Sequence, residues 1–261
     1  MMRVFLLFFI VLNCFSLQGQ VAKNIEEINA CPNKTLALSV HIVLDTAGNT
    51  NISQVAINAS ITSLNAAFAK MCLQFKICKQ DTIPESMYDV YDEAKHQVEM
   101  GTKYDVPNTI NIYYVIDNAA CGKAPLPMGP SPIPYSVTRD FIFIKKSCPD
   151  AIIHEMGHFF GLQHTFETSG GVELANGSNC AISGDSICDT EADPYPATQL
   201  TPGTCTLTPA SKALKDVNGD YYTPPICNIM SYYSGPCTKY FTTEQFNKML
   251  LMYRTKRNYL W

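Results

Sequence analysis

Hydrophobic and polar residues alternate along several stretches of this chain, and their spacing separates strands from helices. Residues 35 to 44 place apolar side chains at every second position, a pattern that predicts a β-strand with one apolar face. Shorter stretches at 72 to 78, 109 to 116 and 140 to 146 are typical of further strands. Lysines end the last stretch, and they favour an edge position for it in the sheet.

Apolar residues that recur at spacings of three and four predict two helices before residue 165. The first begins after Ser53, a residue type suited to the N-cap, and its apolar stripe runs from Ile57 to Met71, or about five turns. The second opens near Pro149 and should stop at Gly161, because glycine readily adopts the left-handed conformation that ends a helix.

Residues 168 to 241 differ in composition from the rest of the chain. They are rich in Gly, Ser, Thr, Pro and Asn, and they show no long periodic run. Five cysteines fall in this segment, so we predict an ordered lobe stapled by disulfide bonds rather than disorder. A C-terminal helix follows, because Thr242 and Gln245 form a capping box. Its apolar stripe consists of Phe246, Met249, Leu250 and Tyr253.

The N-terminus has the order of charge and hydrophobicity found in secretory signal peptides. Arg3 precedes an uncharged, largely apolar run of twelve residues, which is too short to span a bilayer. We therefore predict a signal peptide over residues 1–19, a short segment over 20–34, and a protein secreted to the extracellular space or the periplasm. No stable membrane insertion is expected after cleavage. A lipid-anchored Cys14 is the alternative, although Asn13 before it fits poorly.

Composition limits the partners and the redox compartment. The 261 residues are 46% hydrophobic and 16% charged with a formal net charge of −4, so the chain is globular and nucleic acid is not its main partner. Removal of the signal peptide leaves an even number of cysteines, and an exported chain of this kind is expected to form disulfides. Cys72 and Cys78 are too far apart on one strand to pair with each other. The ten cysteines are Cys31, Cys72, Cys78, Cys121, Cys148, Cys180, Cys188, Cys205, Cys227 and Cys237.

Three of the five histidines lie within eleven residues, in the sequence HEMGHFFGLQH. His154 and His158 are four residues apart, so on a helix their rings leave the same face and can bind one metal ion. Gly161 lets the chain turn back and bring His164 to the same ion as a third ligand. Three imidazoles with one open position are typical of catalytic zinc, and Glu155 is placed to act as general base on water.

This stretch resembles the complete zinc-binding motif of the metzincin metalloproteases. Members of that group carry a methionine turn downstream, and NIMSYY at 228 to 233 is similar to it, with Met230 at its centre. The resemblance implies that Met230 supports the site from below. Tyr232 matches a tyrosine beside the zinc in some metzincins, where its phenol can donate a hydrogen bond to the developing oxyanion. An ordinary core tyrosine is the alternative for Tyr232.

The continuation HTFE, the segment GDSICDT and the run FTTEQFNKM resemble the pappalysin family in particular. The resemblance implies an α+β, two-lobed fold with a twisted, mostly parallel sheet, a backing helix and the active-site helix above an irregular lower lobe. The upper subdomain is expected over residues 35–164 and the lower one over 165–261. The resemblance also implies a secreted zinc endopeptidase, and it implies a disulfide bond between Cys237 and Cys205. The peptide substrate is expected to pair with an edge strand, either near residues 140–146 or in the proline-rich segment before them. We expect a monomer.

Several alternatives stay open from the sequence. Some pappalysin relatives bind Ca²⁺ in the lower lobe, and four acidic residues offer oxygen ligands here, although plain solvated acids fit equally well. These residues are Asp185, Asp189, Glu191 and Asp193. Cys31 is either a disulfide partner or a thiol that keeps the enzyme latent. A secreted zinc-binding or adhesion module without activity, and a zinc amidase acting on a non-protein substrate, are the other functions considered.

Overall fold

The computed structural model describes residues 32–90, 92–116, 120–127, 140–233 and 236–260. The predicted signal peptide, Cys14 and Cys31 lie outside these residues. The division into subdomains at residue 164 stays a prediction.

A five-stranded sheet forms the first half of the described chain. Its strands are β1 (Lys34–Val43), β2 (Leu73–Ile83), β3 (Ile110–Val115), β4 (Gly122–Lys123) and β5 (Phe141–Lys145). Their order in the sheet is β2-β1-β3-β5-β4. Every pairing is parallel except the last, in which β4 runs antiparallel to β5. The mostly parallel sheet agrees with the predicted α+β fold class.

Five α-helices occur within the described residues. They are α1 (Gln54–Ala67), α2 (Glu93–Tyr104), α3 (Ile152–Phe159), α4 (Pro209–Lys212) and α5 (Thr243–Lys256). The predicted N-cap of α1 is confirmed, since the Ser53 side chain accepts a hydrogen bond from the Ala56 N–H. The helix ends at Ala67, earlier than predicted, and a 3-10 turn completes the apolar stripe as far as Met71.

The central strands of the sheet are buried on both faces, which explains why β1 has no solvent-exposed side chain after Thr35. One face of β1, from Leu36 to Ile42, packs in the main core with α1 and α3. The other face belongs to a second cluster that includes Met100 of α2. Sequence periodicity missed α2, because Met100 is its one buried hydrophobic residue among the described side chains, and a single residue makes no apolar stripe.

The predicted edge position of β5 is wrong, because β5 lies between β3 and β4. Of the two lysines that suggested an edge, Lys146 is buried. Lys146 Nζ donates to the Val43 carbonyl oxygen at 2.5 Å and pairs with the Asp89 carboxylate at 2.6 Å. The described edge on this side is β4, which belongs to the proline-rich segment that was the alternative site for substrate pairing.

Disulfide bonds account for most of the cysteines in the described residues. The bonds are Cys121–Cys148, Cys180–Cys188 and Cys205–Cys237. Cys72 is also disulfide-bonded. The pairing of Cys237 with Cys205 is thereby confirmed. The expectation that all five cysteines of the lower lobe form staples is wrong, since Cys227 is free, as is Cys78 on β2; five thiols cannot all pair among themselves.

The lower lobe is irregular, as predicted, and it is anchored by its C-terminal helix. Between α3 and α5 the regular structure consists of α4 and a few isolated bridges. Thr242 and Gln245 form the complete capping box at the start of α5. Within the part of the chain that is described, no helix has the length and apolar character needed to cross a bilayer.

Candidate active site

The side chains of His154, His158 and His164 converge on one point. Nε2 of His158 lies 3.1 Å from Nε2 of His154 and 3.0 Å from Nε2 of His164. Among the described residues, this is the one group of three or more such side chains placed to hold a metal ion. Tetrahedral zinc with Zn–N bonds of about 2.05 Å would hold its nitrogens roughly 3.3 Å apart, which is close to the spacing found.

The hydrogen bonds of the rings define which nitrogen faces this point. Nδ1 of His154 lies 2.7 Å from the Ile229 carbonyl oxygen, and Nδ1 of His158 lies 2.7 Å from that of Leu162. A carbonyl oxygen can only accept, so Nδ1 carries the proton and the Nε2 lone pair is free to bind a cation. Burial lowers the pKa of all three histidines, that of His158 to about 3 and that of His164 to about 4, so the imidazoles are neutral at pH 7.

Gly161 makes the third histidine available. It follows the end of α3 with a φ of +91°, a left-handed conformation that glycine adopts without strain. A Cβ at this position would also lie 2.6 Å from Cγ of Met252 in α5. The chain therefore leaves the helix at this residue and turns back, and His164 reaches the other two rings.

Glu155 lies beside the histidines, on the wall of the cleft described below. Its side chain is only 6% exposed. Burial raises its pKa to about 8, while the Ala124 backbone N–H, which donates to its carboxylate, and the charge of Lys123 act in the opposite direction. A cation held by the three imidazoles would add to these two effects and favour the carboxylate form.

Met230 packs against α3, the helix that carries His154, Glu155 and His158, and it is fully buried. A Cβ on Gly157 of α3 would be 2.5 Å from the Met230 sulfur, so the thioether fills the space that this glycine leaves. The Met230 N–H donates to the Asn228 side-chain oxygen at 2.8 Å, and Asn228 in turn bonds Gln245 of the capping box. The turn is thus tied to both α3 and α5.

Tyr232 lies over the histidines and is half exposed to the cleft. Its ring centroid is 4.5 Å from that of His164 and 5.6 Å from that of His154. Burial raises the pKa of Tyr232, with a further contribution from Glu155, so its phenol stays protonated and can donate. Phe166 supports this group by stacking on His164, with centroids 4.7 Å apart and ring planes 7° from parallel.

Asp193 joins the segment after His164 to the methionine turn. One of its oxygens accepts hydrogen bonds from the hydroxyls of Thr165 at 2.6 Å and Ser231 at 2.9 Å. The other accepts from the Tyr233 hydroxyl at 2.9 Å and the Tyr195 N–H at 3.1 Å. These four protein donors occupy the carboxylate that was expected as a calcium ligand, and sequence spacing gave no sign of this role.

The remaining acidic candidates are placed differently. Asp189 accepts from the Glu244 N–H at the start of α5, and Glu191 is exposed. Asp185 is fully buried, and no donor among the described residues bonds its Oδ2. The nearby Glu173, which the sequence analysis did not identify, is also buried, and neither of its carboxylate oxygens accepts a hydrogen bond from the described residues. Burial, followed by the charge of Asp185, raises the pKa of Glu173 to about 7, and burial raises that of Asp185 to about 6.

A cleft of about 970 Å³ runs past His154 and Glu155. One wall is formed by the end of α1, including Ala66 and Ala67. The opposite wall is formed by the segment around Tyr232 and Tyr233. The cleft has the volume of a ligand site, and His154 and Glu155 line it.

Residues 143–253 match the model of the peptidase family M43, described as pregnancy-associated plasma protein-A. They form a pappalysin-family metalloprotease domain. The three histidines, Glu155 and the methionine turn all fall within this domain, so the resemblance seen in the sequence is confirmed. Membership of this family of metalloproteases implies a bound metal, and the histidine cluster is the group that can hold it.

Relatives of this chain include extracellular metalloproteases of fungi. Two from Colletotrichum graminicola are 26% and 27% identical over 214 and 242 residues, which cover 76% and 85% of this chain and 68% and 77% of theirs. One from Arthroderma gypseum is 24% identical over 246 residues, covering 87% of this chain and 74% of its own.

The fold of the chain is shared with mirolysin. Mirolysin in complex with compound 9 superposes with a TM-score of 0.53 at 16% identity, over 84% of this chain and 91% of that one. A mutant of Tannerella forsythia promirolysin gives a TM-score of 0.55 at 16% identity, over 93% and 89% of the two chains. At this identity the likeness concerns the fold alone.

Proposed function

We propose that this pappalysin-family protein is a secreted, zinc-dependent endopeptidase with His154, His158 and His164 as metal ligands and Glu155 as general base. The observation that carries the proposal is the convergence of three Nε2 atoms at 3.0–3.1 Å beside a buried carboxylate. Three neutral imidazoles with an open position favour zinc over magnesium or calcium, which prefer oxygen ligands. Zinc, when bound there, acidifies water and polarises the carbonyl of the scissile bond.

Glu155 acts first as general base and then as general acid in the proposed reaction. Its carboxylate accepts one from water as that water attacks the scissile carbonyl, and it then delivers the proton to the departing amine. The Ala124 N–H and the charge of Lys123 both favour the ionised form of this carboxylate, which is the form that accepts a proton. Tyr232, whose pKa is raised, stays protonated and donates a hydrogen bond to the oxyanion as charge develops.

The substrate is proposed to lie along the cleft as an extended peptide. β4 is the edge strand on the active-site side of the sheet, and Gly122 in it lines the cleft next to Glu155. Backbone groups at the edge of a sheet can bond a peptide strand whatever its sequence. The disulfide bonds and the extracellular relatives support secretion, since disulfides persist in oxidising compartments.

We also propose that Glu173 and Asp185 hold a structural Ca²⁺. Two buried carboxylates with three oxygens that accept no hydrogen bond from the described residues are costly unless a cation binds them. Oxygen ligands of this kind suit calcium. Calorimetric titration of the metal-free protein with Ca²⁺ should show one site that disappears in Glu173→Gln; an unchanged titration would remove the assignment.

The proposed activity is tested by casein cleavage with the mature chain, before and after removal of metal with 1,10-phenanthroline and again after addition of zinc. We expect cleavage to stop and to return with zinc. A zinc-loaded chain that cleaves no protein substrate would instead support the silent binding module. Release of acyl groups from small amides without protein cleavage would support the amidase.

A further inference from the structure

A short segment of the cleft wall lies against Glu155, and it is attached both to β5 and to the start of α3. Residues 121–124, named the clamp segment here, contain β4 and continue to Ala124. Gly122 and Lys123 pair with Ile144 and Phe143 of β5. The Lys145 N–H adds a hydrogen bond to the Cys121 carbonyl oxygen at 2.8 Å. Two paired residues are few for a strand, and a pairing this short frays without further support.

A disulfide bond supplies that support. Cys121 at the start of the clamp segment is bonded to Cys148. Cys148 precedes the 3-10 turn Pro149–Ala151 that leads directly into α3, and its carbonyl oxygen accepts from the Ala151 N–H at 3.0 Å. The bond therefore joins the clamp segment covalently to the start of the helix that carries His154, Glu155 and His158. Both cysteines line the cleft, so the bond lies at the active site rather than in the core.

The clamp segment contacts the Glu155 side chain at two places. A Cβ on Gly122 would lie 2.5 Å from Cγ of Glu155 and 2.8 Å from its Oε1, so any side chain at this position would displace the carboxylate. Two residues further on, the Ala124 N–H donates to the same carboxylate. The glycine limits how near the side chain can approach the strand, and the amide limits how far it can move away.

We propose that the clamp segment is a positioning element for the Glu155 carboxylate, with Gly122 as the contact surface and the Cys121–Cys148 bond as the link that holds it against α3. This rests on the proposed role of Glu155 as general base. A general base acts only within hydrogen-bond reach of its proton, and a displacement of about 1 Å can lower a rate by about a hundredfold. In this proposal β4 positions the Glu155 carboxylate as well as pairing with the substrate.

Two variants and one control test the proposal by steady-state kinetics. Gly122→Ala and the double variant Cys121→Ser/Cys148→Ser should each lower kcat at least about tenfold, with stoichiometric zinc and an unchanged far-ultraviolet spectrum. The matched control is Cys180→Ser/Cys188→Ser, which removes a disulfide outside the cleft and should leave kcat within about twofold. Wild-type kcat in Gly122→Ala would overturn the proposal, and this variant decides alone if the cysteine variant does not fold.

Hydrogen exchange at the Ala124 amide gives a readout that needs no activity. In the zinc-loaded protein, exchange at Ala124 should accelerate at least about tenfold in Cys121→Ser/Cys148→Ser and in Glu155→Ala, and should be unchanged in the control. Unchanged exchange in both variants would overturn the proposal whatever the kinetics show. A wild-type chain that cleaves nothing would contradict the proposed function, while the exchange rates would still decide whether the segment holds Glu155.

Discussion

Two buried clusters of ionisable groups lie in the described part of this molecule, and they differ in the charge that they carry near neutral pH. In the histidine cluster, Nε2 of His154 and Nε2 of His164 lie 3.1 and 3.0 Å from Nε2 of His158. The pair Glu173 and Asp185 buries two carboxyl groups with three oxygens that accept no hydrogen bond from the described residues. Burial lowers the pKa of the histidines and raises the pKa of the carboxyl groups, because it disfavours the charged form in both.

The difference lies in what remains at neutral pH. Imidazoles with a lowered pKa are neutral without metal, so the metal-free active site adds little charge repulsion to the folded state. Carboxyl groups with a pKa of about 6 and about 7 lose their protons near neutral pH and repel each other inside the protein. The first cluster should therefore need its cation for activity, and the second should need its cation for stability.

The largest expected effect is on the histidine cluster. His164→Ala should lose tightly bound zinc and all measurable proteolysis, because three ligands leave none to spare. Zinc per mole, measured by mass spectrometry after gel filtration, should fall far below one, while the melting temperature changes little. One full equivalent of zinc in this variant would remove His164 from the ligand set.

Asp193→Ala should have the next largest effect, since it removes the acceptor of four hydrogen bonds that join Thr165 to Ser231 and Tyr233. Buried donors left unpaired cost about 1–3 kcal/mol each, so we expect a melting temperature lower by about 5 °C or more and a kcat lower by about a hundredfold. Glu191→Gln, an exposed acid two residues away, is the control. Equal kcat values for the two variants would contradict the link to the active site.

Tyr232→Phe should cost less, about tenfold to a hundredfold in kcat, because one oxyanion donor is lost while zinc still polarises the carbonyl. KM should change by less than about threefold, since the ring and its contacts with His164 remain. The variant is compared with wild type at matched zinc content. A large rise in KM at constant kcat would show that the phenol binds substrate rather than the transition state.

The smallest effect is a pH dependence of stability. A carboxyl group whose pKa is raised on folding stabilises the fold below its unfolded pKa, and this is lost as pH rises through the folded value. For Asp185 and Glu173, whose unfolded pKa values are near 4 and whose folded values are about 6 and about 7, the loss falls between about pH 4 and pH 7. Melting in EGTA should therefore decline across this range by about 3 °C or more beyond the decline of Glu173→Gln, and Ca²⁺ should remove the difference. Identical profiles for the two proteins would contradict the calcium assignment.

Sequence predicted the histidine cluster better than the carboxylate pair, for a physical reason. The spacing of His154, His158 and Gly161 fixes geometry locally, because a helix places residues four apart on one face and glycine permits the turn that follows. Glu173 and Asp185 meet through a loop without periodicity, so no spacing rule brings them together. The same reason explains why the four bonds of Asp193 were missed.

The fold shows the same division between local and long-range information. The N-cap Ser53 and the Thr242–Gln245 capping box were predicted because their hydrogen bonds span only three residues. The position of β5 was mispredicted because Lys146 is buried by partners more than fifty residues away, Asp89 and Val43. A lysine predicts a solvent-exposed position only when no acceptor from a distant part of the chain pairs with it in the fold.

The central claim, that Glu155 moves the protons in a zinc-dependent cleavage, is tested most directly by Glu155→Gln. Gln matches Glu in size and its side-chain oxygen can still accept from the Ala124 N–H, yet it cannot accept a proton, so fold and zinc should be retained. We predict that casein cleavage by this variant, at the same zinc content as wild type, falls by about a hundredfold to ten-thousandfold. Cleavage at the wild-type rate would contradict the mechanism.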